Sequence, residues 1–96
     1  MKLRYTAAER GHIATIFKYI YDRNPVAATK VAEQIRFVAE RLAKFPRIGH
    51  GGRMRGTYEW VVRGLPYIVV YEISLGDEDE VVILGVFHGA QDRERE

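Results

Sequence analysis

Glu80-Val81-Val82-Ile83-Leu84-Gly85-Val86-Phe87-His88 decides how the rest of the chain is arranged. The apolar run from Val81 to Phe87 has the length of a strand and falls far short of the roughly 20 residues that a membrane helix needs. Alternation sends Val81, Ile83, Gly85 and Phe87 to one side and Val82, Leu84, Val86 and His88 to the other. Both sides are apolar, which a sheet with one wet face does not require.

Reading back from this strand, the acidic loop Gly76-Asp77-Glu78-Asp79 separates it from Tyr67–Ile73, which is also apolar on both sides. Gly64-Leu65-Pro66 separates that stretch from Thr57–Arg63, and Gly56 separates the next from Gly52–Arg55. Period-two runs joined by such short turns predict a four-stranded, largely antiparallel meander. Ile48 to Gly52 is glycine-rich but has no GxGxxG pattern, so it reads as a connector and not as a phosphate cradle.

The first half of the chain changes period. Lys2 to Tyr5 alternates as a short strand, and Thr6-Ala7-Ala8-Glu9 matches the capping box, with Thr6 accepting from the Glu9 N–H while Glu9 reaches back. Ile13, Ile16, Phe17, Ile20 and Tyr21 then form one stripe at helical spacing, with His12 off it. Asn24-Pro25 breaks and restarts the chain, as an N-cap followed by proline at the first helical position does. Val31, Ile35, Val38, Leu42 and Phe45 make a second seam that ends at Pro46, so the two helices form a hairpin. The predicted fold is α+β, in the order β-α-α-β-β-β-β, as one domain over residues 1–96 with 91–96 as a flexible tail.

At 96 residues, with 47% hydrophobic and 29% charged residues, the composition is that of a globular chain. No cysteine is present, which excludes a disulfide framework, a thiolate metal site and a cysteine nucleophile. The start shows no apolar signal segment, and a cytoplasmic location without membrane partners is expected. His12, His50 and His88 lack ligand spacing, so neither metal nor cofactor is expected. Charge is segregated. From Arg36 to Arg63 seven basic residues face Glu40 and Glu59, a net +5, whereas Glu72 to Glu96 carries eight acids against Arg93 and Arg95, a net −6.

Two helices can cover only one face of the sheet. An apolar second face is therefore expected to need a partner polypeptide, a homodimer, or the C-terminal segment or a twisted loop folded over it.

Several fragments, in order along nearly the whole chain, are similar to the RelE/ParE toxin family and to its ParE-like branch in particular. They are Tyr5-Thr6-Ala7-Ala8, Asn24-Pro25-Val26-Ala27-Ala28, Phe45-Pro46-Arg47-Ile48-Gly49, Pro66-Tyr67-Ile68-Val69-Val70-Tyr71 and the ending Val82-Ile83-Leu84-Gly85-Val86-Phe87-His88-Gly89-Ala90-Gln91-Asp92-Arg93. The resemblance implies a toxin neutralised by a cognate ParD-like antitoxin. Operator binding would belong to the antitoxin, and no direct sequence-specific DNA recognition is expected of this chain. ParE-like members poison DNA gyrase by binding it, whereas RelE-like members cut mRNA on the ribosome.

RNA cleavage through the 2′-hydroxyl needs a base, an acid and cations around the phosphorane. Here His88, Arg63, Arg53 and Arg55 are the candidates. Ile68 stands where the ribonuclease branch tends to carry an arginine, and Lys44 is the only lysine after Lys30. The ParE-like reading is therefore ahead, with a RelE-like endoribonuclease and a non-toxic binding module as alternatives. Candidate partner contacts are Ile13, Phe17, Arg47, Trp60, Val82, Leu84, Val86, His88, Gln91, Asp92 and Arg93.

Overall fold

The computed structural model describes residues 1–89. The elements are β1 (Lys2–Tyr5), α1 (Ala7–Tyr21), α2 (Pro25–Lys44), β2 (His50–Gly51), β3 (Thr57–Val61), β4 (Tyr67–Ser74) and β5 (Glu80–His88). The five strands form one sheet in the order β1-β5-β4-β3-β2. The meander is antiparallel, and β1 joins it in parallel alongside β5, pairing Leu3 with Val81 and Tyr5 with Ile83. The α+β architecture agrees with the sequence reading. The first strand of the meander does not lie where expected: it is His50–Gly51, inside the supposed connector, while residues 52–56 form the turn into β3.

The core lies between the helices and one sheet face. Ile35, Val38, Ala39 and Leu42 of α2 pack against Val62, Val69, Tyr71, Val81, Ile83 and Val86. Phe45, placed on the α2 seam by periodicity, is 52% exposed just past the helix end, with the Arg41 guanidinium over its ring at 5.8 Å. Alanines complete the buried seam in its place, at Ala39 and Ala43. Tyr71 ties the exit of α2 to the sheet. Its hydroxyl donates to the Pro46 carbonyl at 2.7 Å and accepts from the Gly49 N–H at 3.1 Å.

Strict alternation along β5 fails at Leu84. Val70 is registered with Gly85 and Tyr71 with Ile83, so Leu84 is the extra residue of a β-bulge. Beyond the bulge the facing reverses, and Val86 joins Val81 and Ile83 in the core instead of pointing away with Val82. Thr6 holds this spot, donating from its hydroxyl to the carbonyls of Ile83 and Leu84, both at 3.1 Å.

The second face is less open than expected. Val82 is 1% exposed and Ile68 7%. The register sets Val82 between Arg4 and Glu72, whose long side chains can shield it, and the Gly89 backbone lies against Ile68. Val61 on this face is exposed, but the other large exposed apolar side chains sit mainly on helices and turns, among them Tyr19, Val26, Phe37 and Met54.

α1 lies along the edge of β5 that β1 leaves uncovered past Ile83. Here the His12 Nδ1 accepts the Val86 N–H at 3.1 Å, and its ring meets Phe87 with centroids 4.9 Å apart. A side chain that periodicity leaves off the apolar stripe thus closes an unpaired strand edge. Among the described residues no helix is long and apolar enough to cross a membrane.

Candidate functional site

The four residues considered for RNA cleavage are not brought together. Tyr67 is registered with His88, and the Val62 N–H donates to the Tyr67 carbonyl, so Arg63 and His88 share one end of the sheet. Thr57 is registered with Glu72 at the other end, and the turn holding Arg53 and Arg55 leads directly into Thr57. Five strand positions from Tyr67 to Glu72 amount to about 17 Å along the sheet, so the two sets stand at separate places on its surface. The His88 ring stands edge-on to Tyr67 with centroids 5.9 Å apart, and Ile68, beside it, is buried. The backbone N–H of Arg53 donates to the buried Glu59 at 3.3 Å, and the carbonyl of Arg63 accepts from the Gln34 side chain at 2.8 Å. Arg53, Arg55 and Arg63 are all exposed.

The proposed partner contacts divide. Val82 and Val86 are buried, at 1% and 3% exposure, and do not form a surface, which corrects their placement on an open face. Trp60 and Ile13 are half-buried against the core, Leu84 is half-buried at the bulge, and Arg47 is exposed and donates to the Tyr58 hydroxyl at 3.2 Å. Gln91, Asp92 and Arg93 lie outside the described residues, as does the tail expected at 91–96.

Ile13 and Phe17 also line a concave site that periodicity did not point to. A groove of about 860 Å³ runs between α1 and α2, walled by Ile13, Ala14 and Phe17 on one side and Ala32 and Ile35 on the other. Phe17 is braced by stacking on Tyr21 at 5.6 Å. At the β1 end the lining turns polar, with Tyr5, Glu9, Arg10 and Arg36. Glu9 is 4% exposed, the only α1 residue to reach full burial.

Glu9 occupies this position because the capping box is only half made. Thr6 does accept the Glu9 N–H at 3.1 Å, but the Thr6 N–H is already spent on the Ile83 carbonyl at 3.1 Å. The Glu9 carboxylate, with no donor left to cap, faces the groove. Burial raises its pKa above the ordinary value, against the opposing pull of Arg10 and Arg36. Burial likewise raises that of the Tyr5 phenol, helped by the Glu9 charge. The sequence reading expected Glu9 to reach back to the Thr6 N–H; the parallel pairing of β1 with β5, which takes that donor, is not legible in the Thr-x-x-Glu pattern.

A helical hairpin laid on a mixed five-stranded sheet is the α+β fold shared with ParE/RelE-like toxins. Comparisons narrow this further. A family model described as "ParE toxin of type II toxin-antitoxin system, parDE" matches residues 3–93, and the chain belongs to that family. The protein Y4kP of Sinorhizobium fredii (strain NBRC 101917 / NGR234) is 34% identical over 90 residues, covering 94% of this chain and 90% of that protein. Among solved structures, the chromosomal ParDE TA system from P. aeruginosa superposes with a TM-score of 0.80 at 16% identity, covering 92% of this chain and 95% of that one. The YoeB/ParE toxin from Agrobacterium tumefaciens gives 0.63 at 18% identity, covering 92% and 98%.

Proposed function

We propose that this ParE-family toxin acts by binding DNA gyrase, without cutting RNA, and is held inactive by a ParD-like antitoxin. The observation that carries the reading is the separation of its cations: of the three candidate arginines only Arg63 shares the sheet end of His88, while Arg53 and Arg55 stand at the opposite end. Phosphorane stabilisation needs preorganised positive charge at the same point as the proton donor, and that term is among the largest in such catalysis. Ile68, buried in β4, adds no cation. Likeness to a structure of a ParDE pair supports an antitoxin as the controlling partner. The exposed arginines from Arg36 to Arg63 suit an acidic one.

Induced expression with and without the neighbouring open reading frame tests control by an antitoxin. Purified chain added to gyrase supercoiling and to ribosome-programmed mRNA cleavage assays tests the target. Growth arrest relieved by the neighbour, lost supercoiling and intact mRNA are expected. Cleavage that disappears on His88→Gln would replace this reading with the endoribonuclease.

A further inference from the structure

Glu9 is an unusual residue to find at the floor of an apolar groove. Its backbone N–H is used by Thr6, but among the described residues no hydrogen bond or ion pair reaches its carboxylate, on which Arg10 and Arg36 act only through space. No buried side-chain oxygen or nitrogen among the described residues lacks a partner, so the Glu9 oxygens remain open to the groove and to water. Any apolar segment seated there would strip that water and leave a carboxylate unpaired, at a cost well above that of a lost neutral hydrogen bond.

The walls specify the shape of an occupant. Two antiparallel helices with Ala14 and Ala32 lining the groove leave room for a third helix to approach closely, with Ile13, Phe17 and Ile35 as its apolar contacts. Charge specifies the rest. Buried Glu9 lies at one end with Arg36 and Arg10, both exposed, beside it, and Glu33, also lining the groove, is exposed to solvent.

We propose that this groove receives an amphipathic helix of the antitoxin that carries one lysine or arginine to Glu9, and that Glu9 selects for that cation. The inference rests on the antitoxin reading and adds the residue that determines which segment is accepted. Acidic residues on the same helix would lie over Arg10 and Arg36, completing the complementarity. Selection arises because a helix without the cation leaves Glu9 desolvated and unpaired, a penalty against the wrong partner rather than extra attraction for the right one.

The test uses the full chain, its Glu9→Gln and Glu40→Gln variants, and three synthetic amphipathic peptides of about twenty residues. The peptides differ only at one groove-facing position, which is lysine, glutamate or norleucine. Calorimetric titration should show the lysine peptide binding the wild type and the Glu40→Gln control about tenfold more tightly than the norleucine peptide. On Glu9→Gln, which keeps the side chain's shape, the advantage should shrink to within about twofold, with amide shifts at Ile13, Phe17 and Ala32 marking the groove in every case. No lysine preference on the wild type, the same preference on Glu9→Gln, or no saturable binding by any peptide overturns the proposal. Co-expression with the neighbouring polypeptide separates the two levels. Equal retention by wild type and Glu9→Gln removes the role of Glu9 and leaves the antitoxin reading standing, whereas no retention by the wild type removes the antitoxin reading itself.

Discussion

Glu9 makes the folded protein hold a proton more tightly than the unfolded chain does, because burial outweighs the two arginines near it. Between the unfolded and the folded pKa the native state binds more protons, so stability falls as pH rises through that window and the whole cost is present above it. Glu9→Gln should therefore raise the melting temperature at about pH 8, with the gain vanishing near pH 3.5, below the ordinary carboxylate range, in paired thermal melts. Functional sites commonly carry such a cost in stability. Tyr71 is the opposite kind of residue, fully buried with both of its hydrogen bonds made. Tyr71→Phe leaves the Pro46 carbonyl and the Gly49 N–H without their partner and should cost about 1–3 kcal/mol in urea unfolding.

At the scale of the element, α1 acts as a cover for a strand edge more than as a slab on a sheet face. β1 ends at Tyr5, and from there Thr6 and His12 take over the exposed groups of β5. Replacing His12 with leucine should speed hydrogen exchange at the Val86 amide by at least about tenfold while the Val69 amide, inside the sheet, keeps its protection. Gly85 permits the contact: a Cβ there would lie 2.8 Å from His12 Cε1 and 2.9 Å from Phe87 Cε2. Gly85→Ala should destabilise by about 1–3 kcal/mol, read from the denaturant midpoint, because the imidazole must leave the strand edge to make room. Helix and strand types were readable from Ile13, Ile16 and Phe17 at period 3.6 and from Tyr67 to Ile73 at period two. The two-residue β2 was not, since His50-Gly51 is too short to show a period and exists only through its pairing with Tyr58 and Glu59.

Across the whole molecule, charges are placed by topology. Lys2 pairs with Glu78 at 3.0 Å and Arg4 with Glu80 at 3.1 Å, so β1 offsets part of the acidic end of the sheet. The basic stretch from Arg36 to Arg63 remains exposed, on α2 and the turns around β3. A domain of this size has a small core, and a partner that binds only the folded state should stabilise it markedly. At a free partner concentration about 100 times Kd the gain is about 2.7 kcal/mol, which should raise the melting point by on the order of 10 °C in differential scanning calorimetry of the complex.

The sequence by itself determined the kind and order of the elements, because periodicity, helix starts and turn residues are set by neighbours a few positions apart, and its ordered fragments from Tyr5 to Arg93 carried the resemblance to the toxin family. The long β5 could be bounded at Glu80 and His88 from its own residues. Only the tertiary structure decided that facing reverses at Leu84, that Val82 is shielded, that Arg53 and Arg55 stand far from His88, and that Glu9 turns into the groove. Each depends on strand register between distant segments: Thr6 meets Ile83 across 77 positions, and taking that one N–H is what releases the carboxylate. Local sequence specifies which groups want partners, but the register allots them.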